Sequence, residues 1–489
     1  MSTDPLPLAL AAPPGGAEVT MAPIAHDLGA LTARLDAAGV AWRTDDGSLD
    51  DHARDWWPVS IGWAAHGVLY ARPSVVVAPR STDEVASAVE ACARAAMPVT
   101  IQGGRSGVCG GAVPEPGGVA LDLTGCDEVL HFDEASLRVR VGAGLSGPAL
   151  EAFLRARGCT VGHFPQSFEL ATVGGWVACR GAGQYSTRYG KIEDLVRGLT
   201  VVLADGTVVT TGGRGPREAA GPDLTQLFVG AEGTLGVVTE VELVVHRVPA
   251  AEARRAWSFD SFTDGLEACR RVLQRGATPA VLRLYDERES ERSFGLARCA
   301  LVVLDEADPA LLDATLAIVD AECAAATRED DALVATWLEH RNDVSALGAL
   351  WQRGVVVDTL ETAAPWSALD RVHREVTAAI LGVESTVVAS VHQSHAYLDG
   401  ACLYFTFAGR PPEDQVDGYY RAVWTAATAA ALGAGASLSH HHGVGRHRAG
   451  YVASALGTAT GVLDAVKDAL DPEHRLNPSV LGFALRRDR

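Results

Sequence analysis

The sequence predicts an α+β protein of two domains. Three observations carry this expectation. The chain has 489 residues, enough for two domains of ordinary size and an extension. Between about residues 70 and 249, short strands alternate with helices and hairpin turns, without the regularity of a doubly wound sheet. After Pro249 glycines thin out and longer amphipathic helices follow, so a boundary is expected near residue 250.

In chain order, residues 1–24 are rich in Pro, Ala and Gly and read as a disordered tail. Residues 25–69 read as a helical extension. It carries a helix from Leu28 to Ala38 and an aromatic patch, Trp56-Trp57-Pro58, expected to pack on a neighbouring domain. Residues 70–249 form the first domain. Val75-Val76-Val77 is a buried strand, and Ser81 to Glu84 spells a capping box before helically spaced Val85, Val89, Cys92 and Ala96. Pro98 is expected to end that helix, with Val99-Thr100-Ile101 as the next strand. Leu137, Val139 and Val141 alternate as a half-buried strand, and Leu150 to Arg157 is a helix stopped by Gly158. Asp205-Gly206 reads as a two-residue hairpin turn. Residues 250–489 form the second domain.

Composition narrows the function. The chain is 48% hydrophobic and 21% charged, ordinary for a globular protein. No apolar run reaches the roughly 18 residues of a membrane span. No signal peptide is legible at the start, and Arg486–Arg489 carry no targeting signal. A net charge of -20 makes nucleic acid a poor candidate as a partner and requires a locally basic pocket for any anionic substrate. The nine cysteines are scattered, with no C-x-x-C pair, which argues against disulfides and a zinc site. A reduced, cytoplasmic protein is expected.

Four glycine-rich stretches carry the chemistry. They are Gly103 to Gly111, Thr172-Val173-Gly174-Gly175-Trp176 with Pro165-Gln166-Ser167 before it, Cys179 to Gly183, and Gly230 to Gly236. Glycine lets backbone N–H groups converge on an anion with no Cβ in the way. None of these stretches has the G-x-G-x-x-G context of a Rossmann site. A large phosphate-bearing cofactor held by several loops fits them better.

The order of these loops, with Tyr189-Gly190-Lys191-Ile192-Glu193-Asp194-Leu195-Val196 and Ala204-Asp205-Gly206-Thr207, resembles the vanillyl-alcohol-oxidase, or PCMH-type, FAD-binding domain. The resemblance covers roughly residues 70–480 and implies FAD, with an FAD-linked oxidase C-terminal cap domain. It places the cofactor on Gly103, Gly104, Arg105, Ser106 and Gly107; on Pro165, Gln166, Ser167, Thr172, Gly174 and Gly175; on Cys179, Arg180, Gly181 and Ala182; and on Glu232, Gly233, Thr234, Gly236 and Val237. Several members attach the flavin through a His in the first loop. No His stands in 103–111, so non-covalent FAD is expected. Arg105 stands where relatives have a small residue, and would either pair with a phosphate or crowd the loop.

The second half resembles the alkyldihydroxyacetonephosphate synthases. Leu282-Arg283-Leu284-Tyr285-Asp286, Glu361-Thr362-Ala363-Ala364-Pro365-Trp366, Asp399 to Phe405 and Ser437-Leu438-Ser439-His440-His441-His442-Gly443-Val444-Gly445 carry the likeness. The sister 2-hydroxy-acid dehydrogenases show a G-D-G-N-x-H string where this chain has Leu398 to Leu403, without its His. The resemblance implies exchange of the acyl chain of acyl-dihydroxyacetone phosphate for a long-chain alcohol, through a flavin N5 adduct. It implies Tyr404 as a proton donor or acceptor, His440, His441 and His442 as proton carriers, and Arg283 in the substrate site. Taken alone, Tyr404 also reads as strand core and Arg283 as a solvated strand face. Three adjacent histidines rarely point at one ion, so no metal is expected. Ala363 and Gln166 replace a Ser and an acid of the synthase strings, which suggests a drifted substrate. The alternative is an FAD oxidase or dehydrogenase of a 2-hydroxy acid or small alcohol. A small-molecule or lipid-phosphate substrate, peripheral membrane contact and a homodimer complete the expectations.

Overall fold

The computed structural model describes residues 18–19, 27–343 and 347–485. The expected tail, 1–24, lies outside them apart from Glu18–Val19, a strand parallel to Val68–Leu69. The basic residues 486–489 also lie outside.

Two larger sheets build the first half, beside two-stranded pairs. One has four strands in the order Trp42–Arg43, Val75–Val77, Val119–Asp122 and Val99–Gln102, the last three parallel. The other has five antiparallel strands, Val208–Gly212, Val196–Val202, Val237–Val244, Arg138–Gly142 and Val129–Asp133. From Ala251 the chain enters a seven-stranded antiparallel sheet. This is the α+β architecture that the sequence predicts. Among the described residues, no helix is long and apolar enough to cross a membrane.

The central strand Cys299–Ala307 shows why the third sheet is hard to read by alternation. Leu301 and Val303 face helices Phe262–Gln274 and Pro309–Glu322 on one side. Ala300, Val302 and Leu304 pack on Tyr185 and Tyr189 of the first half. Both faces are buried, so the strand is a continuous apolar run.

Local readings hold where side chains dictate them. Helix Leu28–Ala38 has the expected bounds, opened by Asp27 and closed by left-handed Gly39. Ser81 accepts from the Glu84 N–H as expected, but the Glu84 carboxylate reaches back to Arg80 N–H, not to Ser81. That helix ends at Arg94, before Pro98, because left-handed Ala96 has already turned the chain. The 150–157 helix runs instead over Gly147–Arg155, since Ser146 caps it one turn earlier. The hairpin loop has three residues, not two: Leu203 N–H donates to Thr207 O at 2.9 Å, leaving Ala204, Asp205 and Gly206 in the turn.

The halves are latched by polar groups. Arg188 forks onto Asp305, which is fully buried, at 2.6–2.9 Å. Tyr189 donates to Glu306 at 2.6 Å, and Trp57 Nε1 to Tyr420 at 3.1 Å. The aromatic patch thus packs on the second half as expected. The chain then returns to its first half. Buried Lys467 donates to the carbonyls of Thr234 and Leu476, and Asn477 bonds Ile101 N–H and Glu232 O.

Arg188→Met strands the Asp305 carboxylate in the interior. A loss of about 3–5 kcal/mol is expected for breaking one side of such a pair. Urea unfolding of the variant checks this.

Candidate functional site

A cavity of about 840 Å³ runs along the junction of the halves. The glycine loops form one wall and the second half forms the other. Helix Val173–Ala178 is opened by Thr172, whose hydroxyl accepts from Gly175 N–H. The first loop folds tightly over this turn: a Cβ on Gly104 would collide with the Leu170 carbonyl, and one on Gly103 with the Thr172 hydroxyl. Among the described residues, the N–H groups of Gly103, Gly104, Arg105 and Ser106 donate to no acceptor, and all four residues border the cavity. A row of free donors beside a cavity suits a pyrophosphate. The residues therefore fit FAD.

Most of the expected cofactor residues reach this cavity: Gly103, Gly104, Arg105, Ser106, Gly107, Pro165, Gln166, Ser167, Thr172, Gly174, Gly175, Cys179, Gly181, Ala182, Glu232, Gly233 and Gly236. Three do not. Arg180 turns away at φ +56° and pairs with Glu193 at 3.3 Å, because Gly230 packs against its side chain. Thr234 is buried and donates to the Ala231 carbonyl at 2.7 Å. Val237 packs in the core of the first sheet. Arg105 borders the cavity, and its Nη2 lies 2.8 Å from the Asp51 carboxylate. Glu232 has a further task, described below.

On the opposite wall stand Tyr404, His441, His442 and Arg283. Tyr404 donates to Thr359 at 3.0 Å, and burial pushes its phenol above the ordinary range. Its ring stacks on His392, with centroids 4.8 Å apart, and meets His442 edge-on at 5.4 Å. His440 is the exception. It lies behind the wall, Nε2 3.0 Å from the Tyr397 hydroxyl and Nδ1 2.9 Å from His441 Nδ1. His395, His440 and His441 bring ring nitrogens within 4.8 Å of one another. Two of the three adjacent histidines thus meet His395, and His442 does not join that group. Burial pushes His440 and His441 down to about 3 and His442 to about 4. All three are neutral at pH 7, so they act there as uncharged donors and acceptors.

Two carboxylates position this loop. Glu361 takes the N–H groups of His440 and His442, the Ser439 hydroxyl and the Arg448 guanidinium. Burial alone would raise its pKa; Arg448 and the histidines instead hold it far below the carboxylate range. Glu232 takes Val444 N–H at 2.6 Å and Gly445 N–H at 2.7 Å. Here burial wins over the two donors and lifts the group to about 7. Sequence reading quoted Glu361 in a string without giving it a task and passed over Arg448; the arginines of the G-V-G-R-H-R run after the histidines were the available signal.

Arg283 and Arg341 flank Trp337, with guanidinium carbons 5.8 and 5.5 Å from its ring. Each keeps one buried N–H, Nε and Nη1 respectively, without an acceptor among the described residues. Arg341 had no signal in the sequence.

Comparisons with known proteins agree with this geometry. Residues 73–212 match the FAD binding domain model, and residues 248–481 the C-terminal domain of FAD linked oxidases. The chain belongs to the family of FAD-linked flavoproteins built from this pair of domains, and its cofactor is FAD. Among its relatives is an uncharacterized FAD-linked oxidoreductase, YgcU, of Escherichia coli (strain K12), 30% identical over 383 residues, 74% of this chain and 79% of that one. The alkyldihydroxyacetonephosphate synthase of Caenorhabditis elegans is 30% identical over 451 residues, 82% of this chain and 74% of that one. A solved alkyldihydroxyacetonephosphate synthase superposes with a TM-score of 0.77 at 24% identity, covering 94% of this chain and 86% of that one.

The two carboxylates carry opposite pH signatures. A raised folded-state value means that Glu232 contributes stability below about 4.5, lost as pH rises through about 7. The contribution of Glu361 is present above 4.5 and is lost only in strong acid. Glu232→Gln is expected to lessen the fall in stability between pH 5 and 8 by about 3 kcal/mol. Urea midpoints at the two pH values test this.

Proposed function

We propose that the chain is an FAD-dependent transferase that exchanges the acyl chain of an acyl-dihydroxyacetone phosphate for a long-chain alcohol. The observation that carries this reading is the Arg283–Arg341 pair. Two buried cationic N–H groups without acceptors, in a chain of net charge -20, call for an anionic group on the substrate. The relatedness to alkyldihydroxyacetonephosphate synthases supports the choice of that phosphate. Leu403, in place of a metal-binding His, supports it further.

Bound FAD supplies the redox-active, nucleophilic ring that such an exchange uses. The chain supplies position and proton handling. Arg283 and Arg341 hold the headgroup. The ester oxygen leaves as a carboxylate, and the entering alcohol gives up its hydroxyl proton. Tyr404, kept as a neutral phenol and aligned by Thr359, can donate to or accept from those oxygens. Neutral His441 and His442 line the same wall. A long-chain substrate also implies peripheral contact with a lipid surface by a cytoplasmic protein.

The second reading is oxidation of a 2-hydroxy acid or small alcohol. YgcU is named an oxidoreductase, and the arginine pair would take a carboxylate as well as a phosphate.

One anaerobic experiment separates them. Palmitoyl-dihydroxyacetone phosphate and labelled hexadecanol are added while flavin absorbance is followed. Labelled ether product without an added electron acceptor is expected. Lasting flavin bleaching by a hydroxy acid, with no ether, would instead establish the oxidoreductase. Tyr404→Phe is expected to lower kcat by about 100-fold with bound FAD unchanged.

A further inference from the structure

Beside Tyr404 stands a buried dyad that the function above does not use. His392 lies on the strand Thr386–Ala396, is 4% exposed, and borders the cavity. Its Nδ1 is 2.8 Å from Glu289 Oε1 and its Nε2 is 2.5 Å from Arg283 Nη2. Glu289, on helix Glu287–Phe294, also takes the Ser390 hydroxyl at 3.2 Å and pairs with Arg292 at 3.3 Å.

The partners dictate the tautomer. An arginine only donates, so Nε2 must present its lone pair, and Nδ1 carries the hydrogen given to Glu289. Burial alone would raise Glu289, but His392, Arg292 and Arg283 hold it below the ordinary value. Burial, then Arg283, pushes His392 down to about 4. The pair is therefore an ionised carboxylate behind a neutral imidazole whose other nitrogen meets Arg283 at the cavity wall. That is the arrangement of a general base with its orienting acid.

One feature sets this dyad apart. The lone pair of the base is capped by a cation, and that cation has a second buried N–H, Nε, still without an acceptor among the described residues. An anion held by Arg283 would compete with Nε2 for the guanidinium and offset the charge that suppresses the base.

We propose that His392 Nε2 accepts the proton of the substrate hydroxyl, that Glu289 is its positioning residue, and that the anionic group of the substrate releases this base by taking Arg283. The O–H bond breaks, the proton passes to Nε2 and the electron pair stays on oxygen. No electron is transferred to or from the dyad. The imidazolium is paired with Glu289 until it returns the proton to solvent. The role rests on the function above only for a substrate set containing a hydroxyl and an anion, which both of its readings supply.

Several charged or titratable groups face the ring. They are Arg283 and Tyr285 from the strand Val281–Tyr285, Glu289 and Arg292 from the helix, Tyr404 from the strand Gly400–Gly409, and His395 from its own strand, while Asp286 accepts from the neighbouring Val391 N–H. Burial lifts Asp286 to about 6, so it is the main competing source of protons. Replacing His392 alone separates the two.

The test uses the FAD-loaded enzyme and sulfate, which does not titrate between pH 5 and 8. Calorimetry at pH 5.5 in two buffers of different ionisation enthalpy counts protons taken up per sulfate bound. Wild type is expected to take up a substantial fraction of a proton. His392→Gln should bind sulfate within about threefold but lose more than half of that uptake. Glu289→Gln should also reduce it, and should shift the acid limb of kcat/KM while leaving KM within about threefold, an effect that mere loss of packing would not give. His392→Asn serves if the Gln variant does not fold. In turnover, His392→Gln should lower kcat by about 100-fold. Absence of sulfate binding, of uptake in wild type, or of any change in uptake on replacing His392 would overturn the proposal. Failure to form ether or to bleach flavin would overturn the function above and leave the sulfate result standing.

Discussion

The site depends on two buried carboxylates that grip one loop from opposite halves of the chain. Glu361, from the seven-stranded sheet, holds the N–H groups at the start of the histidine run, and Glu232, from a glycine loop of the first half, holds those at its end. A buried carboxylate without partners costs several kcal/mol, so each must be saturated with donors. Because most of those donors are backbone N–H groups, the carboxylates impose a loop shape, independent of which side chains the loop bears. That shape turns His441 and His442 to the cavity and His440 behind it. The rest of the junction supports the same grip. Asn477 braces the Glu232 carbonyl, and Arg448 neutralises Glu361.

Desolvation sets the chemistry of the cavity. It keeps the three loop histidines and His392 uncharged and keeps Tyr404 protonated. Fixed positive charge on the second-half wall comes instead from arginines, which do not lose their protons. Neutral acid–base groups beside a permanent cation let an arriving anion alter local basicity without any change of fold. The same cation can therefore bind substrate and govern a neighbouring base.

Sequence patterns reported local facts well where a side chain acts on its own turn. Asp27 and Gly39 bound the first helix because capping is a contact over a few residues. Patterns misplaced the ends of the helices near Pro98 and Gly158, where Ala96 and Ser146 act before the expected breaker or start. The glycine loops were legible because close backbone approach admits little else. Arg180, Thr234 and Val237 share those loops yet face elsewhere, since adjacency in a motif does not fix the direction of a side chain.

The sequence by itself determined the fold class, the FAD loops and the two strings that carry Tyr404 and the histidines. Each of these is written in contiguous residues, through glycine spacing, periodicity or a shared motif. Only tertiary structure decided which charges meet. Glu289 lies 103 residues from His392, Glu361 lies 87 from Arg448, and Glu232 lies 212 from Val444. Strand register and the folding of the second half onto the first bring them together, and burial then sets their protonation. No local pattern encodes either effect, because both depend on what is excluded from water once the halves close.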